Sequence, residues 1–384
     1  MAAKLPNSNQ LPELNIVKVE PVLLHAPIDT PVMTSFGTLT KRAVLLVRVE
    51  DAEGAVGWGE VFGNFPMHGA ENRAHLIRDY LAPITMSESW DTPAAAFAAM
   101  TQQSHIMTIQ CGEPGSFAQA IAGVDIALWD LAARRAGAPL WRLLGGEGAT
   151  IPVYASGLNP RGFEDIVAGK LAAGYTAFKV KIGFGRETDL AALAGVRQLI
   201  GERRLMSDVN QSWDLETACA NWPEYSEFDL SWIEEPIAAD QGLDSWRRIA
   251  ALPGAPVAAG ENLLGDAQFD DYIASKVLGV VQPDMCKWGG FTKTLPLAGR
   301  IIDAGQSYCP HFLAGAIGLL ASGHCLAAAG GGGMLEIDAN PNPLREQLTG
   351  ALPAINDGRM TLPEGPGLGA APDLDLIRDF QSKG

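Results

Sequence analysis

Lysine and arginine are scarce in this chain: 28 against 44 aspartates and glutamates over 384 residues, a formal net charge of −16. Phosphate backbones are bound by concentrated Lys and Arg, so this balance argues against a nucleic-acid partner; it favours solubility and leaves the fold open. Cysteines are few. Cys111, Cys219, Cys286, Cys309 and Cys325 are odd in number and fall at no metal-ligand or redox spacing, which fits reduced, mostly buried thiols in a cytoplasmic protein. The opening MAAKLPNSNQLPELN has no continuous apolar stretch of the kind a secretory signal carries. One window, LAGAIGLLASGHCLAAAGGGGML (residues 313–335), has few polar side chains. Its Ala and Gly content, His324 and the run Gly330 to Gly333 favour a buried helix followed by a flexible loop over a membrane span.

What is present is ordinary for a globular protein, 47% apolar and 19% charged, and long enough for two domains or a large barrel with an attachment. AVLLVRVEDAEGAVGWGEV (43–61) reads as two strands joined by a turn at Asp51 to Gly54, followed by the polar loop FGNFPMHGAENR. Helical patterns are expected through 69–86, 91–107 and 114–145, the last largely packed against protein. From about residue 151 short apolar strands alternate with helical stretches: VYASG, AFKVKIG, RLMSDVN, LSWIEEP, VAAGEN, GVVQPDM, QSYCPHF and MLEID. Eight such units argue for an α/β fold with a closed (β/α) barrel, and the Pro- and Gly-rich stretches NPNPLREQLTG and LPEGPGLGAAPDLDLIRDF for a tail that leaves it.

An unusual polar residue stands near the C-terminal end of seven of these strands: Lys181, Asp208, Glu234, Glu261, Asp284, His311 and Glu336. Neighbours in this series are 23 to 27 residues apart, one βα unit each, so all are carried to the barrel rim where such folds place their active sites. Asp208, Glu234 and Glu261 close three consecutive strands. Gathered carboxylates repel unless a cation lies among them, and three hard oxygen ligands suit Mg2+. Taken singly, each acid could equally cap a helix or pair with Lys or Arg. Glu235, next on the same strand as Glu234, is expected to face away and serve structure.

Lys179 and Lys181 share one face of their strand, opposite Phe178 and Val180. A solvated strand face would explain a lone Lys-x-Lys. Same-face neighbours about 7 Å apart repel by roughly 2 kcal/mol at an effective dielectric of about 20. With desolvation and a nearby cation, that would bring Lys181 towards the neutral form of a base. His311 follows Asp284 by one unit, so the acid is placed to hydrogen-bond and orient the imidazole. Four strands separate Lys181 from His311, which suggests approach to a bound molecule from opposite sides. Glu336, if protonated or shielded by a metal, could donate to a substrate oxygen as charge develops there.

The order Lys-x-Lys, DVNQSWD, WIEEP, GEN, PDMCKWGG, PHF and LEID resembles the enolase superfamily, and within it the mandelate racemase subgroup. GWGE, GVDIALWD and PLWRLLGG resemble its capping domain, so the likeness runs from about residue 40 to GPGLG near the C-terminus. The resemblance implies a modified TIM barrel, (β/α)7β, over residues 146–354. It also implies an α+β capping domain built from residues 15–145 and a returning C-terminal segment, 355–384. It implies Asp208, Glu234 and Glu261 as Mg2+ ligands, Lys181 as one acid/base and Lys179 as its modulator. Asp284 with His311 would be the second acid/base, and Glu336 the partner of the substrate carboxylate or enolate, with Asn210 and Lys179 also contacting substrate. Muconate-lactonizing and dipeptide-epimerising relatives carry a lysine where this chain has Asp284, which points away from them.

The implied chemistry is removal of the proton α to a carboxylate, followed either by reprotonation (racemisation or epimerisation) or by loss of a β-hydroxyl. The constellation is most similar to acid-sugar dehydratases; a hydroxylated amino acid substrate and a non-catalytic metal-bearing barrel are the alternatives. Substrate choice is expected in the loops 31–42 and 62–73, with Thr34, Lys41, Arg42, His68 and Arg73 as candidates, and in Trp288. The expected partner is a small-molecule carboxylate, with no nucleic acid and no membrane, in a cytoplasmic homo-oligomer.

Overall fold

A computed structural model describes residues 5–34, 37–350 and 352–380. Strands β1 (Ile16–Thr34), β2 (Gly37–Asp51) and β3 (Val56–Val61) form an antiparallel sheet in that order. β1 was not legible as a strand because Pro21 and Pro27 interrupt it; as the sheet's outer strand it tolerates prolines that cannot donate to a ladder. The turn expected at Asp51 forms, with Gly54 N–H donating to Asp51 O at 3.0 Å and Gly54 at φ +82°. Alternation along β2 separates two cores. Leu45, Val47 and Val49 pack into the sheet's own helical layer, while Val44 and Leu46 face the cluster shared with the barrel.

The helix Pro114–Arg135 lies on β3 so closely that a Cβ at Gly57 or Gly59 would collide with its backbone. The glycines of GWGE are therefore packing residues. The helical pattern through 145 stops at Arg135, where Gly137 takes φ +65°, and resumes only as the short turn Leu140–Leu143. This helix is long and apolar enough to cross a bilayer, but 83% of its apolar window is buried inside the protein. The 313–335 window forms the buried helix Ala316–Ala329 and a glycine turn.

The barrel strands are β4 (Thr150–Leu158), β5 (Ala177–Lys181), β6 (Arg204–Asp208), β7 (Leu230–Glu234), β8 (Val257–Ala259), β9 (Val280–Val281), β10 (Ser307–Tyr308) and β11 (Leu335–Asp338). They run parallel in sequence order from β4 to β10, and β11 pairs back onto β4. β10 and β11 meet through Met334 N–H on Cys309 Sγ at 3.4 Å and Phe312 N–H on Glu336 Oε2 at 3.1 Å. Among the described residues a helix of eight or more residues follows each of the first seven strands, and only the short helices Pro343–Glu346 and Leu374–Phe380 follow the eighth, giving (β/α)7β. The short strands β12 (Ile355–Asn356) and β13 (Arg359–Thr361) attach to the start of β4. The chain then crosses to the N-terminal layer, where Leu368 N–H donates to Asp130 Oδ1 at 2.7 Å.

Three carboxylates fasten the two layers. Asp338 of β11 pairs with the buried Arg42 of β2 at 2.7 Å. Glu60, one residue past Gly59, accepts from Gly315 N–H at 2.6 Å and Gly318 N–H at 2.8 Å, at the start of the helix Ala316–Ala329. Asp125 does the same for the helix Gly290–Asp303, accepting from Thr292 N–H at 3.0 Å and Thr292 Oγ1 at 2.5 Å. Both take the place of missing side-chain caps on helices whose N-cap residue is a glycine, Gly315 and Gly289. Burial pushes the carboxyls of Glu60 and Asp125 up to about 7, against the pull of those N–H donors.

A carboxyl raised on folding holds its proton in the folded state after the unfolded chain has lost it. Its contribution to stability is complete below its ordinary pKa and is lost as pH rises through about 7. The melting temperature of the wild type relative to Glu60→Gln should therefore fall steadily between about pH 4.5 and 7, as read by thermal denaturation. A difference that is flat across this window would show that Glu60 does not titrate there.

Candidate active site

The barrel interior is built in tiers. The lowest is apolar: Tyr154, Ala177, Met206, Trp232, Ala258, Val280, Cys309 and Met334 form one buried cluster. Above it the inward face of β5 presents Lys179, 2% exposed, whose ammonium lies 2.7 Å from Glu234 Oε2, 2.7 Å from Glu336 Oε1 and 5.5 Å over the Tyr154 ring. Burial disfavours that charge, but the two carboxylates outweigh it and hold Lys179 well above its ordinary pKa. The like-charge repulsion expected between Lys179 and Lys181 is thus offset by two anions that come from β7 and β11. Lys179 does not reach the cavity above. It lies beneath the residues that line the cavity.

Two residues further along β5, Lys181 stands level with Asp208 in the parallel register, and Asp208 with Glu234. Lys181 is 5% exposed and lines a cavity of about 340 Å3 together with Asp208, Asn210, Glu261, His311 and Glu336. A larger hollow, about 770 Å3, opens at the other end of the barrel around Gly330 to Gly333. Its titratable lining residues are Glu147 and Arg359, so it lacks the chemistry gathered at the rim. β8, β9 and β10 stop short, so Glu261, Asp284 and His311 reach the rim from the loops just past them.

His311 Nδ1–H donates to Asp284 Oδ2 at 2.9 Å and Nε2–H to Glu261 Oε2 at 3.0 Å, with Glu336 Oε2 at 4.0 Å. Burial works against the imidazolium, yet Glu261, Glu336 and the Asp284 hydrogen bond raise His311 well above its ordinary pKa. Asp284 is itself oriented by Cys286 N–H at 2.8 Å and lies behind the imidazole, away from the cavity. Glu336 accepts from Ser156 Oγ and Phe312 N–H besides Lys179. Burial raises its carboxyl, but Lys179 and His311 win and hold it below the ordinary range. Lys179 and His311 therefore favour the ionised, hydrogen-bond-accepting form of Glu336, and its lysine neighbour lies across the strand ladder and not in the adjacent sequence.

The remaining acids crowd one side. Asp208 accepts from Asn210 N–H and Nδ2, each at 2.8 Å. Burial raises Asp208, with Glu261 adding to it; burial, Asp208 and Glu336 raise Glu234 to about 7 against Lys179. Glu235 corrects the sequence reading. β7 ends at Glu234, Glu235 takes φ +41°, and the alternation that would turn it outward no longer applies. Its Oε1 accepts from Asn262 Nδ2 at 2.8 Å, and its pKa is held well above the ordinary value by burial and by Glu261 and Asp208.

Among the described residues no three His, Cys, Asp or Glu side chains are arranged as a finished metal site. Glu234 Oε2 is engaged by Lys179 and by Gln282 Nε2 at 2.6 Å, and Glu261 Oε2 by His311 and by Lys287 Nζ at 3.4 Å. The donor set nevertheless suits a hard divalent cation: three neighbouring carboxylates of mutually unfavourable charge, and a buried Glu234 Oε1 with no hydrogen-bond partner.

Other candidates stand elsewhere. The side chain of Thr34 lies outside the described residues. His68, its side chain 74% exposed, lines a separate surface hollow and faces Glu71, so it does not enter the cavity. Arg42 is consumed by Asp338, and Trp288 packs on Phe269 in another hollow. Lys41 is not among the residues lining the cavity. The loop 62–73 does reach the cavity, through Phe62 and Phe65 and not through His68; Gln119 and Lys287, which also line it, were not among the expected residues. Lys287, three residues past Asp284, shared the rim signal; Gln119 sits mid-helix and carried none.

The enolase C-terminal domain-like family model matches residues 163–376, and the mandelate racemase/muconate lactonizing enzyme N-terminal domain model matches residues 17–145. A mandelate racemase/muconate lactonizing enzyme structure from Bordetella bronchiseptica RB50 superposes with a TM-score of 0.89 at 45% identity, over 96% of this chain and 99% of that one. D-galactarolactone cycloisomerase of Agrobacterium fabrum is 31% identical over 96% of this chain and 99% of its own length. Arabinonate dehydratase of Saccharolobus solfataricus is 26% identical over 88% and 91%.

Proposed function

Since the chain belongs to the mandelate racemase/muconate lactonizing enzyme family of the enolase superfamily and is a lyase or isomerase of that type, we propose that it removes the proton α to the carboxylate of a sugar acid and expels the β-hydroxyl, yielding a 2-keto-3-deoxy acid. The observation that carries this reading is the meeting of Lys181 and the Asp284-bound His311 in one cavity with Glu261, Asp208 and Glu336.

In this reading Asp208, Glu234 and Glu261 hold Mg2+. Bound there, the cation would supply charge stabilisation as negative charge moves onto the substrate carboxylate. Lys181 Nζ takes the α-proton. His311 Nε2–H, kept charged by its acidic neighbours, gives a proton to the departing β-hydroxyl, which leaves as water, and the enol product tautomerises to the keto acid. Glu336, ionised and fixed by Lys179, accepts from a substrate hydroxyl. Asn210, braced on Asp208, borders the same space and offers a further contact.

A screen of aldonic and aldaric acids in heavy water with Mg2+ tests this directly. Keto acid formation is expected, lost on adding EDTA and restored by excess Mg2+. Deuterium at the α-carbon without elimination would make the enzyme a racemase or epimerase instead. The cycloisomerase relative favours one second reading, in which the same α-proton is removed from a lactone and the ring oxygen is the leaving group. Its product has the mass of its substrate, whereas dehydration loses one water. Equal activity with and without divalent cation would overturn the ligand assignment.

A further inference from the structure

Arg73 is the anomaly of the N-terminal layer. It is 4% exposed, on the helix Gly69–Leu76, and both groups that accept from it are neutral: Gln119 Oε1 from Nε, and Phe65 O from Nη2 at 3.0 Å. Nη1 is buried with no hydrogen-bond partner. Gly69 packs on it so closely that a Cβ there would meet Nη1, and Arg73 borders, with Glu113, the surface hollow that His68 lines. Burial pulls Arg73 down to about 10, and Glu113 only partly offsets this; that carboxylate is taken by Asn72 Nδ2 at 2.7 Å. A buried guanidinium without a carboxylate is costly, and an anion nearby would offset the cost.

The two groups that Arg73 holds, Gln119 and Phe65, both line the active-site cavity. A guanidinium has donors only, so the atom of Gln119 that faces it is necessarily the carbonyl oxygen. The Gln119 amide is thereby oriented with both N–H donors turned away from the arginine. A second cation serves the same cavity from the barrel: Lys287 Nζ lies 4.8 Å over the Phe62 ring and donates to Asn262 Oδ1 at 2.7 Å.

Resting on the sugar-acid reading above, we propose that the Phe62–Phe65 end of the cavity recognises a second carboxylate, so that the substrate is a dicarboxylic sugar acid. Gln119 donates its amide N–H to that carboxylate, Lys287 supplies positive charge beside it, and Arg73 is the positioning residue that locks the Gln119 amide and places a buried charge behind it. With its carbonyl oxygen turned to Arg73, Gln119 is left to present its N–H donors, which match an anionic acceptor with a stronger, charge-assisted hydrogen bond than a hydroxymethyl group would give.

The test compares hexarates with hexonates, paired so that each pair has the same configuration, using the full-length enzyme with Mg2+. The wild type is expected to favour the hexarate in kcat/KM by roughly 30- to 100-fold, the value of one lost charge-assisted hydrogen bond network. Gln119→Leu and Arg73→Met should each bring that ratio close to one, chiefly by raising KM for the hexarate. Arg73→Lys, which keeps the charge, should recover part of the preference. A purely structural Arg73 would slow both substrates together and leave the ratio intact, which overturns the proposal. Wild-type turnover of hexonates as good as that of hexarates overturns it too, while leaving the dehydratase reading standing. α-Proton exchange with no sugar acid of either kind overturns the dehydratase reading itself.

Discussion

Lys181→Met and His311→Asn are each expected to lower kcat/KM by about 10^3-fold, within the range that one positioned acid or base contributes. The two losses should differ in kind. If Lys181 serves one face of the substrate and His311 the other, each variant keeps deuterium incorporation at the α-carbon for the configuration served by the surviving group, and loses it for the opposite one. Elimination, which uses both, fails in each. The measurement is proton NMR in heavy water on paired stereoisomers, with thermal denaturation run alongside to show that the fold is intact. Methionine matches the length of Lys181, and asparagine at 311 can still donate to Asp284, so both variants are expected to fold. Unimpaired turnover in both would remove the assignment of these residues as the acid and base.

Lys179→Met should cost stability on a comparable scale, by roughly 3–5 kcal/mol, because it strips two buried carboxyl groups of the cation they share. Glu234 and Glu336 each lie 2.7 Å from that ammonium and are 1% and 2% exposed. Urea denaturation reads the loss as a lower midpoint at an unchanged slope. Adding Glu336→Gln to Lys179→Met should restore part of it, since one of the stranded charges is then neutral. An undisturbed midpoint in the single variant would mean that Glu234 and Glu336 are not held as a pair by Lys179.

The fold was legible where chemistry repeats locally. Strands alternating with helices at a nearly constant pitch marked the barrel, and the same pitch placed one polar residue after another at a single rim, where the structure brings Lys181, Asp208, Glu261, His311 and Glu336 around one cavity. β1 escaped because prolines interrupt its pattern, and its position at the sheet edge, which makes those prolines tolerable, is a tertiary fact. Glu235 was misread for a related reason: period-two alternation holds only while the strand lasts, and the strand ends one residue before it. Arg42 and Arg73 look alike in the sequence, two arginines in or beside N-terminal loops. One is neutralised by a partner 296 residues away, and the other is buried against a glutamine with no carboxylate accepting a hydrogen bond from it.

By itself the sequence determined the architecture and the order of polar groups around the rim, because backbone periodicity is set by neighbours a few residues apart and repeats faithfully along the chain. Tertiary structure alone decided how those groups are charged and which of them meet. Coulomb energies and desolvation act between atoms brought together from distant strands, so Lys179 became the cation beneath the cavity, Glu336 its carboxylate partner, and Gln119 part of the cavity wall.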